Sequence, residues 1–174
     1  MSNQLQELPA KEVIAIDVRS SAPVGKILVV DDEPELRDVL VHSLQKHGYA
    51  VTGCDSGRNA LAQLREGDFD LLVTDLMMPE MDGIGLLKAA LELDPHLVGI
   101  MVTGQGTIQT AVDAMQIGAF DYVLKPFRMQ ALLPVLTRAM NVRHLNWKTY
   151  NFARLWPSIA YARQSPSRWN RKPY

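Results

Sequence analysis

The chain has 174 residues, of which 47% are hydrophobic and 21% charged, as in a folded, water-soluble domain. Its one cysteine, Cys54, excludes an internal disulfide and a cysteine-rich metal site, and its place in an apolar run predicts a buried structural thiol. No apolar run reaches the roughly 18 residues of a membrane-spanning helix, and the N-terminus lacks a signal-peptide pattern, so we expect a cytoplasmic protein without a membrane partner.

The net charge of −1 hides an uneven distribution along the chain. All 19 acidic residues lie at or before Asp121, whereas ten of the 18 Lys and Arg residues follow it, and all three Trp residues lie in the last 28 positions. This change of composition predicts three parts: a flexible leader at 1–25, a folded domain at 26–146, and a basic, aromatic tail at 147–174 that is disordered or loosely docked.

Within the domain, short apolar runs alternate with segments whose leucine and alanine spacing is helical. We predict strand–helix pairs, which in chain order are KILVVDD with PELRDVLVHSLQKHG, YAVTGC with SGRNALAQLREG, DLLVTD with GIGLLKAALELD, HLVGIMVTG with TIQTAVDAMQIG, and FDYVLK with RMQALLPVLTRAMNVRHLN. Pro34 suits a first helical turn, Ser56 an N-cap, and Asp82 a turn before Gly83. The alternation predicts an α/β fold, a doubly wound, five-stranded parallel sheet flanked by five helices.

Polar side chains stand where four of the five strands end. The first strand ends in Asp31 and Asp32, the third in Asp75, the fourth in Thr103, and the fifth in Lys125. Ligands of such sheets bind outside the carboxyl ends of the strands, so these five side chains are predicted to meet at one rim.

The chemistry of this set indicates phosphoryl transfer. Three neighbouring carboxylates repel one another, and a hard divalent cation such as Mg²⁺ relieves that repulsion. Lys125 and Thr103 suit two phosphoryl oxygens, Gly104 leaves room for a tetrahedral group, and Asp75 can act as a nucleophile that forms an acyl phosphate.

Four motifs, VVDDE (29–33), VTDLMMPEMDG (73–83), MVTG (101–104) and DYVLKPF (121–127), resemble the signature of the response-regulator receiver domain of two-component signalling. The resemblance covers about residues 26–143 and implies the flavodoxin-like strand order 2-1-3-4-5. It implies that Asp75 accepts the phosphoryl group and that Mg²⁺ is held by Asp32, by Asp31 directly or through water, by Asp75, and by the backbone carbonyl of Met77.

The same resemblance implies which residues change conformation on phosphorylation. Thr103 matches the switch threonine, Lys125 the invariant lysine, and Tyr122 the switch aromatic, and a cis peptide bond is expected before Pro126. A sensor histidine kinase would supply the phosphoryl group. The surface of the fourth helix, fifth strand and fifth helix would change shape, act on an output protein or module, and in many relatives mediate a homodimer. The protein would be a switch and not a turnover enzyme.

Rival interpretations remain for several residues and for the whole chain. Thr103 could be a strand-end cap and Tyr122 a packed aromatic, and the four His residues show no metal-ligand spacing. The domain could be a constitutive binding module that is not phosphorylated, or a metal-dependent phosphatase.

The tail allows two further hypotheses. Its basic and aromatic residues are one signature of contact with single-stranded nucleic acid, but a disordered or loosely docked tail is the favoured interpretation, so no nucleic-acid partner is expected. Alternatively, residues 147–174 are translated in a shifted reading frame, and an output module has been lost. The sequence does not identify the kinase, the regulated process or the oligomeric state.

Overall fold

The computed structural model describes residues 23–163, and for residues 147–163 it describes the backbone alone. Five strands and five helices alternate, as predicted. Their bounds are β1 Lys26–Val30, α1 Pro34–Lys46, β2 Ala50–Cys54, α2 Gly57–Glu66, β3 Leu71–Asp75, α3 Gly83–Leu93, β4 Val98–Thr103, α4 Ile108–Gln116, β5 Asp121–Leu124 and α5 Met129–Arg163. Residues 1–22 of the predicted leader and residues 164–174 of the predicted tail lie outside the described part.

The strands form one parallel sheet in the order β2-β1-β3-β4-β5, which confirms the predicted topology. β3 and β4 are buried along their whole lengths because helices cover both faces. One core layer joins the sheet to α1 and α5 through Leu40, Leu44, Leu132 and Leu136. The other core layer packs the opposite face of the sheet against α2, α3 and α4. The strand ends are therefore held on a rigid, doubly covered platform.

Local signals set the helix starts. Pro34 occupies the first turn of α1, and the Ser56 hydroxyl accepts a hydrogen bond from the Asn59 amide at the start of α2, both as predicted. Asp82 differs from its predicted role as a simple turn acid. Its carboxylate caps α3 by accepting from the Gly85 amide at 2.7 Å.

Helix α5 runs to Arg163, whereas the sequence pattern predicted an end at Asn146. The apolar periodicity of the sequence ends near Asn146, whereas the helical backbone continues. A helix can continue there because Ala, Leu and Arg are good helix formers. The division into leader, domain and tail stays a prediction.

Candidate functional site

The rim predicted from the strand ends is present, and Lys125 lies at its centre. The Lys125 ammonium donates to Oδ2 of Asp31 at 2.7 Å and to Oδ2 of Asp75 at 3.1 Å. Asp31 and Asp75 are buried and Asp32 is exposed, and oxygens of all three carboxylates lie within 4.8 Å of one another. Two buried acids therefore share one cation, and the third faces solvent beside them.

The Asp75 carboxylate is held by the chain that follows it. Its Oδ1 accepts from the Leu76 amide at 2.7 Å and, more weakly, from the Met77 amide at 3.5 Å. The first residue of α3 lies directly against the same backbone, because a Cβ on Gly83 would overlap the Asp75 carbonyl oxygen. The β3–α3 connection thus fixes both the backbone and the side chain of Asp75.

Asp31 is fixed in a similar way from the start of α1. Its Oδ1 accepts from the Glu33 amide at 3.0 Å, and its carbonyl oxygen accepts from the Arg37 guanidinium at 2.9 Å. Glu33 is exposed, and its carboxylate lies 3.7 Å from the Lys125 ammonium. Sequence reasoning missed the roles of Arg37 and Glu33, which depend on how α1 approaches the sheet.

Lys125 is held at the end of β5 by its own backbone. Its amide donates to the Thr103 carbonyl at 2.8 Å, and the Lys125–Pro126 peptide bond is cis, as the resemblance implied. Burial by itself would lower the pKa of Lys125, but the hydrogen bonds and negative charges of Asp31 and Asp75 outweigh it and raise that pKa. The amine is therefore a permanent cation at neutral pH.

The donor set fits a hard divalent cation. Each carboxylate offers about four lone-pair sites, so Asp31 and Asp75 can bind Lys125 and still face a metal ion. Asp32 brings an exposed carboxylate to the same place. All of these ligands are oxygens, as Mg²⁺ requires. Among the described residues, these three aspartates are the one group of metal-ligating side chains of this size.

The end of β4 places a hydroxyl and an open space beside the acids. Thr103 is fully buried, and its hydroxyl accepts from the Gln105 amide at 3.2 Å. The nearest atom to a Cβ built on Gly104 is Cβ of Lys125 at 3.9 Å, so this position is uncrowded. Thr103 is at the predicted rim, and it also anchors the loop that leads to α4.

Tyr122 lies on β5, half-buried, with its phenol turned toward α4. The phenol oxygen is 3.0 Å from the Thr110 hydroxyl, in the first turn of that helix. Thr107 and Thr110 form a reciprocal capping box, in which each side chain accepts from the backbone of the other. Sequence reasoning missed Thr110, although the Thr-x-x-Thr spacing of TIQT before an apolar run signals such a cap.

The side chains of Cys54, His42 and His47 make their contacts outside the cluster of rim acids. Cys54 is buried, as predicted, and burial, followed by the charge of Asp55, raises the pKa of its thiol. The ring nitrogens of His42 and His47 contact carbonyl oxygens one turn earlier in α1. In the part of the chain that the structure describes, no helix is long and apolar enough to cross a membrane.

Comparison with known proteins gives one consistent result. A family model described as the response regulator receiver domain matches residues 27–137. The transcriptional regulatory protein ZraR of Escherichia coli K12 is 41% identical over 118 residues, which are 68% of this chain and 27% of ZraR. The chain thus spans about a quarter of the length of the curated relatives it matches.

Solved structures agree with the sequence match. A CheY-like receiver domain from Methanospirillum hungatei is 30% identical with a TM-score of 0.68, over 70% of this chain and 98% of that one. TrrA from Thermotoga maritima, solved in complex with Mg²⁺ and BeF, is 28% identical with a TM-score of 0.61, over 66% of this chain and 98% of that one.

Proposed function

Because this chain belongs to the response regulator receiver domain family, whose members are phosphoryl-accepting signalling switches, we propose that Asp75 is its phospho-acceptor. The observation that carries the proposal is the shared cation: the Lys125 ammonium lies 2.7 Å from Asp31 and 3.1 Å from Asp75 at the carboxyl ends of the strands. Of the two buried acids, Asp75 is the one that ends a strand at the centre of the sheet, whereas Asp31 follows the end of β1.

The reaction at Asp75 is a displacement at phosphorus. A carboxylate oxygen attacks, the new O–P bond forms, and the P–N bond of a phosphohistidine donor breaks, with its electron pair returning to the imidazole nitrogen. The product is an acyl phosphate, and water later cleaves it to inorganic phosphate and the original carboxylate. The amide of Leu76 fixes the direction of the carboxylate during attack.

Lys125 and Thr103 receive the phosphoryl group. The ammonium neutralises charge on one phosphoryl oxygen, and the Thr103 hydroxyl donates to another. The Thr103 hydroxyl accepts from the Gln105 amide at 3.2 Å, which leaves its proton for a phosphoryl oxygen. Movement of the Thr103 side chain toward the phosphoryl group would lengthen the Gln105 bond and so loosen an anchor of the loop between β4 and α4.

We assign a Mg²⁺ site to Asp31, Asp32, Asp75 and the carbonyl of Met77. When bound there, Mg²⁺ supplies positive charge that offsets the three carboxylates and the developing negative charge on the phosphoryl oxygens. The carboxylate spacing within 4.8 Å supports the three side-chain ligands, and the Met77 ligand rests on the family resemblance.

The output surface is the face formed by α4, β5 and α5, with Thr103 and Tyr122 as the switch residues. Several large apolar side chains lie exposed on this face, which supports a role in partner contact; they are Ile108, Val112, Met115 and Leu124. A change in α4 would alter this apolar patch directly. A homodimer formed through the same face is part of the proposal.

The partners follow from the chemistry and the relatives. A sensor histidine kinase is the proposed donor, and an output protein or module is the proposed target, since ZraR is named a transcriptional regulator and is about four times as long as the matched segment. We propose a cytoplasmic switch that turns over only its own phosphoryl group. The proposed phosphoryl transfer involves only the three aspartates, Thr103 and Lys125 at the rim, without a separate substrate pocket.

Chemical lability of the adduct tests the function. After incubation with Mg²⁺ and acetyl phosphate, we expect a phosphorylated chain whose phosphate is released by hydroxylamine, because hydroxylamine cleaves acyl phosphates and leaves phosphoserine intact. Chelation of the metal before incubation should prevent labelling. A hydroxylamine-stable phosphate, or labelling equal with and without the chelator, would contradict the proposal.

A further inference from the structure

Three hydroxyl groups meet where β5 packs against the start of α4. The Thr110 hydroxyl lies 3.0 Å from the Tyr122 phenol oxygen, 2.9 Å from the Thr107 amide and 3.0 Å from the Thr107 carbonyl oxygen. The Thr107 hydroxyl accepts from the Thr110 amide at 3.1 Å. The capping box of α4 therefore contacts Tyr122 through one atom, Oγ1 of Thr110.

Oγ1 of Thr110 takes part in several hydrogen bonds at once. A hydroxyl has one proton and two lone pairs. The proton of Thr110 goes to the Thr107 carbonyl oxygen, and the Thr107 amide donates to one lone pair. The other lone pair faces two hydroxyl groups, that of Tyr122 at 3.0 Å and that of Thr107 at 3.3 Å. The Tyr122 phenol is the closer of the two and is therefore the favoured partner of the residue that closes the helix cap.

The connecting loop is packed against the same phenol. A Cβ on Gly106 would lie 2.6 Å from the Tyr122 phenol oxygen and 2.5 Å from Cδ2 of Leu124, closer than real Cβ atoms approach. At its other end, the loop is anchored by the Gln105 amide donating to the Thr103 hydroxyl. A continuous set of contacts therefore runs from Thr103 through the loop to Tyr122 and into α4.

We propose that Thr110 is a positioning residue that ties the Tyr122 side chain to the first turn of α4, so that the two move together. The signalling part of this inference rests on the proposed function: when Thr103 turns toward a phosphoryl group and releases the loop, Thr110 carries the displacement of Tyr122 into α4. Without the Thr110 hydroxyl, Tyr122 and α4 respond separately.

The contact itself is tested by a double-mutant cycle in denaturant unfolding. Tyr122→Phe removes the phenol hydroxyl and leaves the capping box in place. We expect it to lower the folding equilibrium constant about fivefold in the wild-type background and less than twofold in Thr110→Val. Thr107→Ala is the matched control, since it weakens the cap and keeps Thr110, and in it Tyr122→Phe should keep its full effect. Equal effects of Tyr122→Phe in the wild-type and Thr110→Val backgrounds would overturn the contact.

The signalling role is tested by amide NMR with Mg²⁺ and beryllofluoride as the phosphoryl analogue. In the wild type, the amides of Thr103 and of residues 107–111 should both shift. In Thr110→Val, the Thr103 shift should persist while the shifts at 107–111 fall to less than half, and Thr110→Ser should restore them. Full shifts at 107–111 in Thr110→Val would overturn this role. If the Thr103 amide of the wild type does not shift, both the proposed function and the signalling role of Thr110 are overturned. The double-mutant cycle in unfolding tests the Thr110–Tyr122 hydrogen bond independently of that result.

Discussion

At the residue scale, the rim places negative charges together at the expense of stability. Asp31 and Asp75 are partly compensated by Lys125, but Asp32 stands exposed with its carboxylate within 4.8 Å of both. Like charges at this distance repel by about 1 kcal/mol per pair in water. A site that retains this repulsion indicates a positively charged ligand that binds the three carboxylates, since functional sites commonly reduce stability.

Asp32→Asn should therefore stabilise the metal-free protein by about 0.5–1 kcal/mol, which raises its melting temperature by a few degrees. The same variant should lose most of the stabilisation that millimolar Mg²⁺ gives the wild type. Thermal unfolding with and without Mg²⁺ measures both effects. Glu92→Gln, which removes an exposed acid on α3 away from the rim, should change neither. A destabilised Asp32→Asn with an unchanged Mg²⁺ response would contradict the assigned site.

At the element scale, the sequence predicted every strand and helix but not how closely their ends approach one another. The four motifs and the strand ends were enough to place Asp31, Asp32, Asp75, Thr103 and Lys125 at one rim. The contact of Gly83 with the Asp75 backbone and the Thr110–Tyr122 bond were not predicted. Both contacts depend on the angles at which α3 and α4 start beside the sheet. The hydrophobic periodicity of the sequence does not determine those angles.

Gly83→Ala should be strongly destabilising, because its Cβ would overlap the Asp75 carbonyl oxygen and lie 3.0 Å from Cα of Leu76. Backbone atoms cannot give way like a flexible side chain, so we expect a loss of about 3 kcal/mol in the free energy of unfolding. Gly67→Ala is the control, since its new Cβ meets nothing closer than 3.5 Å, and it should change stability by less than about 0.5 kcal/mol. Equal stability of the two variants in urea would refute the close approach.

Within Met129–Asn146 of α5, where side chains are described, two arginines form ion pairs that differ strongly in burial. The Arg143 side chain is 8% exposed and reaches Asp94 at 2.8 Å, whereas Arg138 is 63% exposed and reaches Asp121 at 2.7 Å. Arg143→Met should cost about 3 kcal/mol, since it leaves partly buried carboxylates without their cation, and Arg138→Met less than about 1 kcal/mol. Urea unfolding of both variants at neutral pH measures the difference, and a larger loss in Arg138→Met would contradict it.

The contribution of Arg143 should also depend on pH in a defined direction. Burial alone would raise the pKa of Asp94, but the hydrogen bonds from Arg143 and the His96 amide hold it below its ordinary value of 3.8. A lowered acid pKa stabilises the fold above that ordinary value, and the stabilisation is lost as the pH falls through the folded pKa. The difference in the free energy of unfolding between the wild type and Arg143→Met should therefore become smaller as the pH falls below about 3.8.

At the scale of the whole molecule, the alternation of strands and helices predicted a doubly wound parallel sheet, because it leaves few topologies open. The family resemblance implied the strand order, which the structure confirms, and the division into leader, domain and tail stays a prediction. The continuation of α5 to Arg163 was not predicted, since the apolar pattern of the sequence ends near Asn146. Within Met129–Asn146, where the side chains of α5 are described, the buried residues are Leu132, Leu136, Ala139, Met140 and Arg143.

A chain ending at Asn146 should therefore fold independently, with a melting temperature within a few degrees of the full chain, and should keep the same Mg²⁺ response. Thermal unfolding followed by circular dichroism measures this. The matched comparison is a chain ending at Gly118, which lacks β5, Lys125 and the whole of α5 and should not fold. Loss of cooperative unfolding in the chain ending at Asn146 would place part of the domain core in residues 147–174.

The central claim, that this receiver domain accepts a phosphoryl group on Asp75, is tested most directly by intact mass after incubation with Mg²⁺ and acetyl phosphate. We predict one added phosphoryl group on the wild type and on Cys54→Ala, and none on Asp75→Ala, with all three proteins folded by circular dichroism. An adduct that persists in Asp75→Ala, or a wild type that gains no mass under conditions that label a known receiver domain, would contradict the account.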